Sequence, residues 1–130
     1  MNSQVKEKWI AALRSGEYSQ GDGRLRSHKG FCCLGVLCDL YSQEQDTNWE
    51  FRGVDECDMQ RLDYWYFDEE SEFLPKSVME WAGLSLPSPT VKLDVEEEDE
   101  MFWFYHDEIS NLNDSGYSFT QLADIIEEQL

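Results

Sequence analysis

The C-terminal segment places the firmest constraint on the fold. Ser118-Phe119-Thr120-Gln121 has the form of a capping box, in which the Ser and Gln side chains each accept the other residue's backbone amide at a helix start. Phe119, Leu122, Ala123, Ile126 and Leu130 then recur at helical spacing, so this helix has one apolar face and needs a surface to lie on. A second stripe of the same kind, Val5, Trp9, Ala12 and Leu13, opens the chain, with Ser3 as the expected N-cap and Gly16 as the expected stop. Its polar face carries Lys6, Lys8 and Arg14.

Between these ends the patterning alternates between helix and strand. Gly21-Asp22-Gly23 holds an Asp-Gly pair that favours a tight hairpin turn. Arg24-Leu25-Arg26-Ser27-His28-Lys29 alternates, so an extended backbone puts Arg24, Arg26 and His28 on one face. After Gly30, the stripe Leu34, Leu37, Cys38 and Tyr41 predicts a buried second helix, with Gly35 as its weak point. Residues Ser42 to Phe73 read as short strands or irregular structure. Pro75 suits the first position of a short helix through Val78, Met79 and Trp81 that Gly83 closes. Ser85–Pro89 reads as a loop, Thr90–Val95 as a half-exposed strand, and Asn113-Asp114-Ser115-Gly116 as a turn. The expectation is one α+β domain over residues 1–130, its N- and C-terminal helices packed on a short antiparallel sheet. With 41% hydrophobic and 14% aromatic residues the chain can build that core despite a net charge of −18. Self-repulsion at this charge predicts that added salt stabilises the protein.

The charge is unevenly spread. Residues 1–29 hold six of the ten cations (Lys6, Lys8, Arg14, Arg24, Arg26, Lys29) against three acids, and the rest of the chain holds four cations against 25 acids. Such a body is poorly suited to duplex nucleic acid or anionic membranes, which require cations over a broad face. No apolar run approaches the ~20 residues that span a bilayer, and the first residues lack a signal-peptide core, so a cytoplasmic setting is expected. There thiols stay reduced, and Cys32, Cys33, Cys38 and Cys57 read as free, structural cysteines. No Cys-x-x-Cys pair accompanies His28 and His106, and the acidic run Asp94–Glu100 lacks the glycine and alternating ligands of a calcium loop. No cofactor is implied.

Two binding surfaces suggest themselves. Arg14, Arg24 and Arg26 lie close in sequence to Gly30, after which a helix start would offer free amides to an anion. Arginines around such amides suit a phosphate, with Tyr18 or Trp9 to stack a base. The competing reading pairs these arginines with the acidic body. The second surface is that body itself. Asp68, Glu69, Glu70 and Glu72, with Asp94 and Glu96–Glu100, could imitate DNA phosphates, and the aromatics of Tyr64–Phe67 and Phe102–Tyr105 could anchor the interface. Here the competing reading makes the aromatics core and the acids a solvated surface.

Several segments together carry a resemblance. They are Ala12-Leu13-Arg14-Ser15-Gly16-Glu17-Tyr18, Gln20-Gly21, Leu25-Arg26, Cys32-Cys33-Leu34-Gly35-Val36-Leu37-Cys38-Asp39-Leu40, Leu74-Pro75, Trp81-Ala82-Gly83-Leu84, Leu112-Asn113-Asp114 with Gly116, Ser118-Phe119, and Ala123-Asp124-Ile125-Ile126-Glu127. The chain thereby resembles a family of small proteins encoded by tailed phages and prophages. The resemblance covers about half the chain and implies a phage-like origin and a host-cytoplasm setting. It supplies no activity and no catalytic residue. The acidic stretch Lys92–Tyr105 departs from the pattern, which is shorter and less charged there.

These readings converge on a non-catalytic binding protein whose phage-like origin makes interference with host defence a reasonable purpose. The leading expectation is sequestration of a small anionic, nucleotide-like ligand by Arg14, Tyr18, Arg24, Arg26 and the amides after Gly30. The alternatives are an acidic DNA mimic that blocks a host defence or other nucleic-acid-binding protein, and a structural or assembly accessory acting as a homo-oligomer.

Overall fold

A computed structural model of the chain describes residues 1–57, 60–96 and 102–130, with side-chain detail outside 53–64 and 94–104. The first helix, α1 (Ser3–Arg14), is capped by Asn2 and not by Ser3. The Asn2 Oδ1 accepts the amides of Gln4 (3.0 Å) and Val5 (3.2 Å), satisfying two of the donors that a helix start leaves open. Val5, Trp9 and Leu13 are buried on one side. Helix α5 (Phe119–Gln129) carries the expected capping box between Ser118 and Gln121 and buries Phe119, Leu122, Ala123 and Ile126. These two apolar faces meet, and α1 also packs on α2 (Cys33–Gln45).

Helix α2 is the centre of the molecule. Every residue from Cys33 to Cys38 is buried, which explains its near-continuous apolar sequence. Gly35 sits in this helix for reasons of space. A Cβ there would fall far inside van der Waals contact with the Leu25 carbonyl oxygen, so the preceding chain crosses the helix at backbone contact. That close approach outweighs glycine's intrinsic cost of about 1 kcal/mol in a helix.

Among the described residues the strands form three separate antiparallel pairs. They are β1 (Arg26–Ser27) with β2 (Gly30–Phe31), β3 (Glu50–Cys57) with β4 (Gln60–Tyr66), and β5 (Thr90–Glu96) with β6 (Phe102–Glu108). The segment expected to be short or irregular therefore contains the regular β3–β4 ribbon, with a register shift between Phe51 and Gly53. The hairpin turn is not at Asp22-Gly23. Arg26 pairs with Phe31 and Ser27 with Gly30, so the chain reverses at His28-Lys29. Gly21 is instead tied to β2 through its amide and the Phe31 carbonyl (2.7 Å). Helix α3 (Lys76–Ala82) starts one residue after Pro75 and ends at Gly83. The expected turn at Asn113 is the end of a short helix, α4 (Ile109–Asp114), followed by Ser115 and Gly116.

The α+β class is thus present, but the terminal helices pack chiefly on each other, α1 also lying on α2 and α5 touching β5, so among the described residues they do not rest together on one sheet. One core runs through the molecule. Trp9 of α1, Leu34 and Leu37 of α2, Val78 of α3, Ile109 of α4 and Ile126 of α5 all lie in it at 0% exposure, joined by Phe67 just beyond β4. Among the described residues no helix is long and apolar enough to cross a membrane.

Candidate functional site

The arginines expected to converge on an anion have different partners. Arg14, at the end of α1, donates to Asp124 Oδ1 and Glu127 Oε2 of α5, each at 2.7 Å. These carboxylates raise its pKa, chiefly through the two hydrogen bonds. Arg26 stacks instead on rings. Its guanidinium carbon lies 3.9 Å from the Trp65 centroid, 5.1 Å from Phe31 and 5.6 Å from Trp49. Arg24 is half-buried beside Gly23, Cys32, Glu72, Phe73 and Asp114. One guanidinium is held by carboxylates and one by aromatic faces, so the structure does not gather an arginine clamp.

The helix start after Gly30 is closed as well. Cys32 is the N-cap of α2, and its sulfur accepts the Gly35 amide at 3.4 Å. Asn113 Oδ1, reaching over from α4, accepts the Cys33 amide at 3.2 Å and the Gln20 side chain at 3.0 Å. Cys33, Leu34 and Gly35 are fully buried. The amides offered to a phosphate in the sequence reading are therefore occupied by the protein's own side chains. Gly30 has a structural role. Its φ of +141° and its contact with the Ser19 carbonyl leave no room for a Cβ.

Tyr18 is tied into the fold. Its hydroxyl donates to Asp39 Oδ2 at 2.5 Å and its ring meets Phe31 edge-on at 5.2 Å. Desolvation, then the Asp39 contact, raises the phenol pKa far above its usual value. Trp9 is buried, with its indole N–H on the Cys33 carbonyl (2.9 Å). Asp39 was not singled out in the sequence. It also accepts Trp49 Nε1 (3.1 Å) and Gln43 Nε2 (3.0 Å), and so fixes Tyr18 and Trp49 on either side of Phe31. A lone acid within the apolar run Phe31–Tyr41 was its only signal. From Trp49 the edge-to-face contacts continue through Phe67 and Tyr41 to Trp81.

Nucleophilic chemistry has poor footing here. Cys32, Cys33 and Cys38 are free and buried. Burial pushes the Cys32 thiol up to about 12 and the other two well above their ordinary value, which keeps all three protonated at neutral pH. Cys57 lies outside the described side chains. Among the described residues no group of three His, Cys, Asp or Glu is placed to hold a metal ion.

What the molecule presents outward is acid. Among the described side chains every carboxylate except Asp39, Asp107 and Glu108 is exposed. The loop from β4 to α3 concentrates them as Asp68, Glu69, Glu70 and Glu72. Arg52 bridges Glu69 (2.6 Å) to Glu50 (3.1 Å) while lying 4.2 Å from the Tyr66 centroid. Its hydrogen bond lowers the Glu50 pKa. Phe67 is core, Trp65 and Tyr66 are half-buried, and Tyr105 and Phe51 are exposed, so the aromatics divide between interior and surface. The second acidic cluster, Asp94 and Glu96–Glu100, lies outside the described side chains, as do Tyr64 and Phe102–Phe104.

The fold and surface define a small α+β domain with a closed core and an acidic exterior. The chain belongs to the family described as "Domain of unknown function (DUF8296)", which matches residues 1–130. No curated protein and no solved structure matches it.

Proposed function

We propose that this protein is a non-catalytic binding module that uses its acidic surface to occupy the basic face of another protein. The observation that carries the reading is the orientation of charge. Arg14 and Arg52 are held by carboxylates and Arg26 is covered by rings, while the carboxylates of Asp68, Glu70 and Glu72 are turned to solvent. A surface of this kind attracts a cationic partner over distance and repels nucleic acid. Sequestration of a small anion by Arg14, Tyr18, Arg24, Arg26 and the amides after Gly30 loses its support here, because Arg14, Tyr18, Arg26 and the amides of Cys33 and Gly35 are engaged within the fold. In the phage-like setting the sequence implies, the partner is a nucleic-acid-binding protein of the host cytoplasm, and blocking it serves counter-defence.

The test is affinity for the protein captured from host lysate, measured against salt. We expect rapid association that weakens steeply as salt rises, and at least a tenfold loss when Asp68, Glu69, Glu70 and Glu72 are changed together to their amides. Undiminished capture by that variant rejects the reading. Thermal stabilisation of the wild type by a linear or cyclic nucleotide, abolished by Arg24→Ala and Arg26→Ala, would restore the small-ligand alternative.

A further inference from the structure

A pocket of about 280 Å³ opens beside the acidic loop, lined by Tyr41, Thr47, Asn48, Phe67, Asp68 and Ser77. Its two polar walls hang from unusual backbone. Asp46 (φ 54°) turns the chain out of α2 into Thr47 and Asn48, and Asp68 (φ 47°) with Glu69 (φ 71°) forms a tight turn that brings Glu70 back to pair with Phe67. Left-handed conformations are uncommon for residues other than glycine, and where they persist the surrounding structure holds them. Here three of them flank one cavity.

The rim is also held from below. Ser77 Oγ donates to Asp68 Oδ2 at 2.7 Å, which fixes the carboxylate and leaves Oδ1 without a partner among the described residues. The Tyr41 ring is wedged between Phe67 (5.9 Å) and Trp81 (5.4 Å). The result is a fixed anion beside two fixed aromatic rings. Asp68 is the pocket's charged group, and Thr47 and Asn48 add neutral oxygen acceptors.

We propose that this pocket receives the guanidinium of an arginine presented by the basic partner; the proposal rests on the acidic-surface reading above. Size suits a single side chain, since the cavity sits at the small end of the ~300–1,000 Å³ range of small-molecule sites. Charge excludes a phosphate next to Asp68. Geometry favours a planar cation that can stack on a ring while pairing with a carboxylate. The molecule already holds one of its own guanidinium groups, that of Arg52, in this way, and stacks a second, that of Arg26, on rings alone. Arg26 lies 3.9 Å from the Trp65 centroid, and Arg52 lies 4.2 Å from the Tyr66 centroid with Glu50 and Glu69 on its nitrogens. Tyr41, Phe67 and Asp68 repeat the same combination with the cation's place open to solvent.

Titration followed through backbone amide NMR shifts tests this, with arginine amide, lysine amide and a nona-arginine peptide as probes. Arginine amide is expected to move Thr47, Asn48, Asp68 and Ser77 saturably. Asp68→Asn, which tolerates the left-handed backbone, should weaken it at least fivefold, while the exposed control Glu128→Gln should not. Four unmoved amides, equal effects of the two variants, or equal binding of lysine amide overturn the pocket. Nona-arginine that binds in a salt-sensitive way without moving those amides leaves the acidic-surface reading standing and removes the pocket. Arginine amide seated in the pocket without any binding of nona-arginine overturns the partner as the source, and with it the acidic-surface reading.

Discussion

The segment from Arg14 to Gly30 and the loop from Asp68 to Glu72 are both short, charged and nearly free of regular structure, yet they relate to the rest of the molecule in opposite ways. In the first, charge is turned back onto the protein. Arg14 is bound by α5, Arg26 by rings, and the backbone lies so close to α2 that Gly35 has no room for a side chain. In the second, two left-handed residues make a tight turn that closes Glu70 back onto the buried Phe67 and leaves the carboxylates in solvent. Charge therefore has structural consequences in one place and is available to a partner in the other. The partners within reach of the side chains separate the two cases: Arg14 meets α5 and Arg26 meets rings, while the carboxylates of Glu70 and Glu72 face water.

The strongest way to break this contrast is Gly35→Ala. If the first segment is closed, a methyl at position 35 must displace the Leu25 backbone from buried surroundings. Overpacking of this kind costs about 3 kcal/mol or more, a large share of the stability of a domain this size, so little folded protein should be recovered. Near wild-type urea denaturation of Gly35→Ala would mean that the segment stands off α2, and an anion site between them would again be open.

The buried thiols give the next largest effect and probe the same packing. Their folded pKa values are raised by burial, so the unfolded state loses these protons first, near pH 9, while the folded state keeps them to about 12 for Cys32 and well above the ordinary value for Cys33 and Cys38. Stability is complete below the unfolded value and declines as pH rises beyond it. The slope approaches about 1.4 kcal/mol per pH unit for each thiol. Urea unfolding between pH 7.5 and 10.5 should show the loss, and Cys38→Ala should reduce the slope by roughly a third. A flat profile to pH 10.5 would mean that the thiols are open to solvent.

The helices were legible in the sequence because each announces itself locally. The Ser118–Gln121 box and the stripes of α1, α2 and α5 depend on spacing alone, and caps missed by one residue at Asn2 and Pro75 reflect how small that signal is at an end. What was not legible depends on partners distant in sequence. Asp-Gly at 22–23 is a good turn signal, but Gly21 pairs with Phe31 and draws that stretch into a loop, so the hairpin closes at His28-Lys29. Asn113 reads as a turn residue, yet its amide is spent on Cys33, Gln20 and Gly21, more than 79 positions away in the chain. The expected anion site failed for the same reason. The arginines are adjacent in sequence, and nothing local records that Asp124, Glu127 and Trp65 arrive beside them.

Arg26 and Arg14 refine the contrast within the first region, since one is held by rings and the other by carboxylates. Arg26→Ala removes a planar group from contact with Trp65, Phe31 and Trp49 and should cost about 1–2 kcal/mol, mostly in lost packing. Lysine at this position should recover only part of it, because an ammonium cannot stack. Equal stability of Arg26→Ala and wild type in thermal unfolding would show that the rings do not depend on the guanidinium.

Arg14→Gln should have the smallest effect, and its salt dependence is the informative part. Its two ion pairs are solvent-exposed, and exposed pairs contribute little because water and salt screen them. The substitution also leaves an already acidic protein one unit more negative, so at low salt the melting temperature should fall slightly. Added salt acts on two terms of opposite sign: it weakens the Arg14 pairs, and it relieves the self-repulsion of a chain with net charge −18. Wild type and variant should therefore both gain stability with salt, the variant more, until their melting curves merge near ~0.5 M, where the screening length is only a few ångströms. Arg26→Ala should keep its deficit at every salt concentration, because stacking does not depend on ionic strength to the same degree. A gap for Arg14→Gln that persists at high salt, or exceeds that of Arg26→Ala, would place Arg14 among the packed residues and remove the distinction drawn between them.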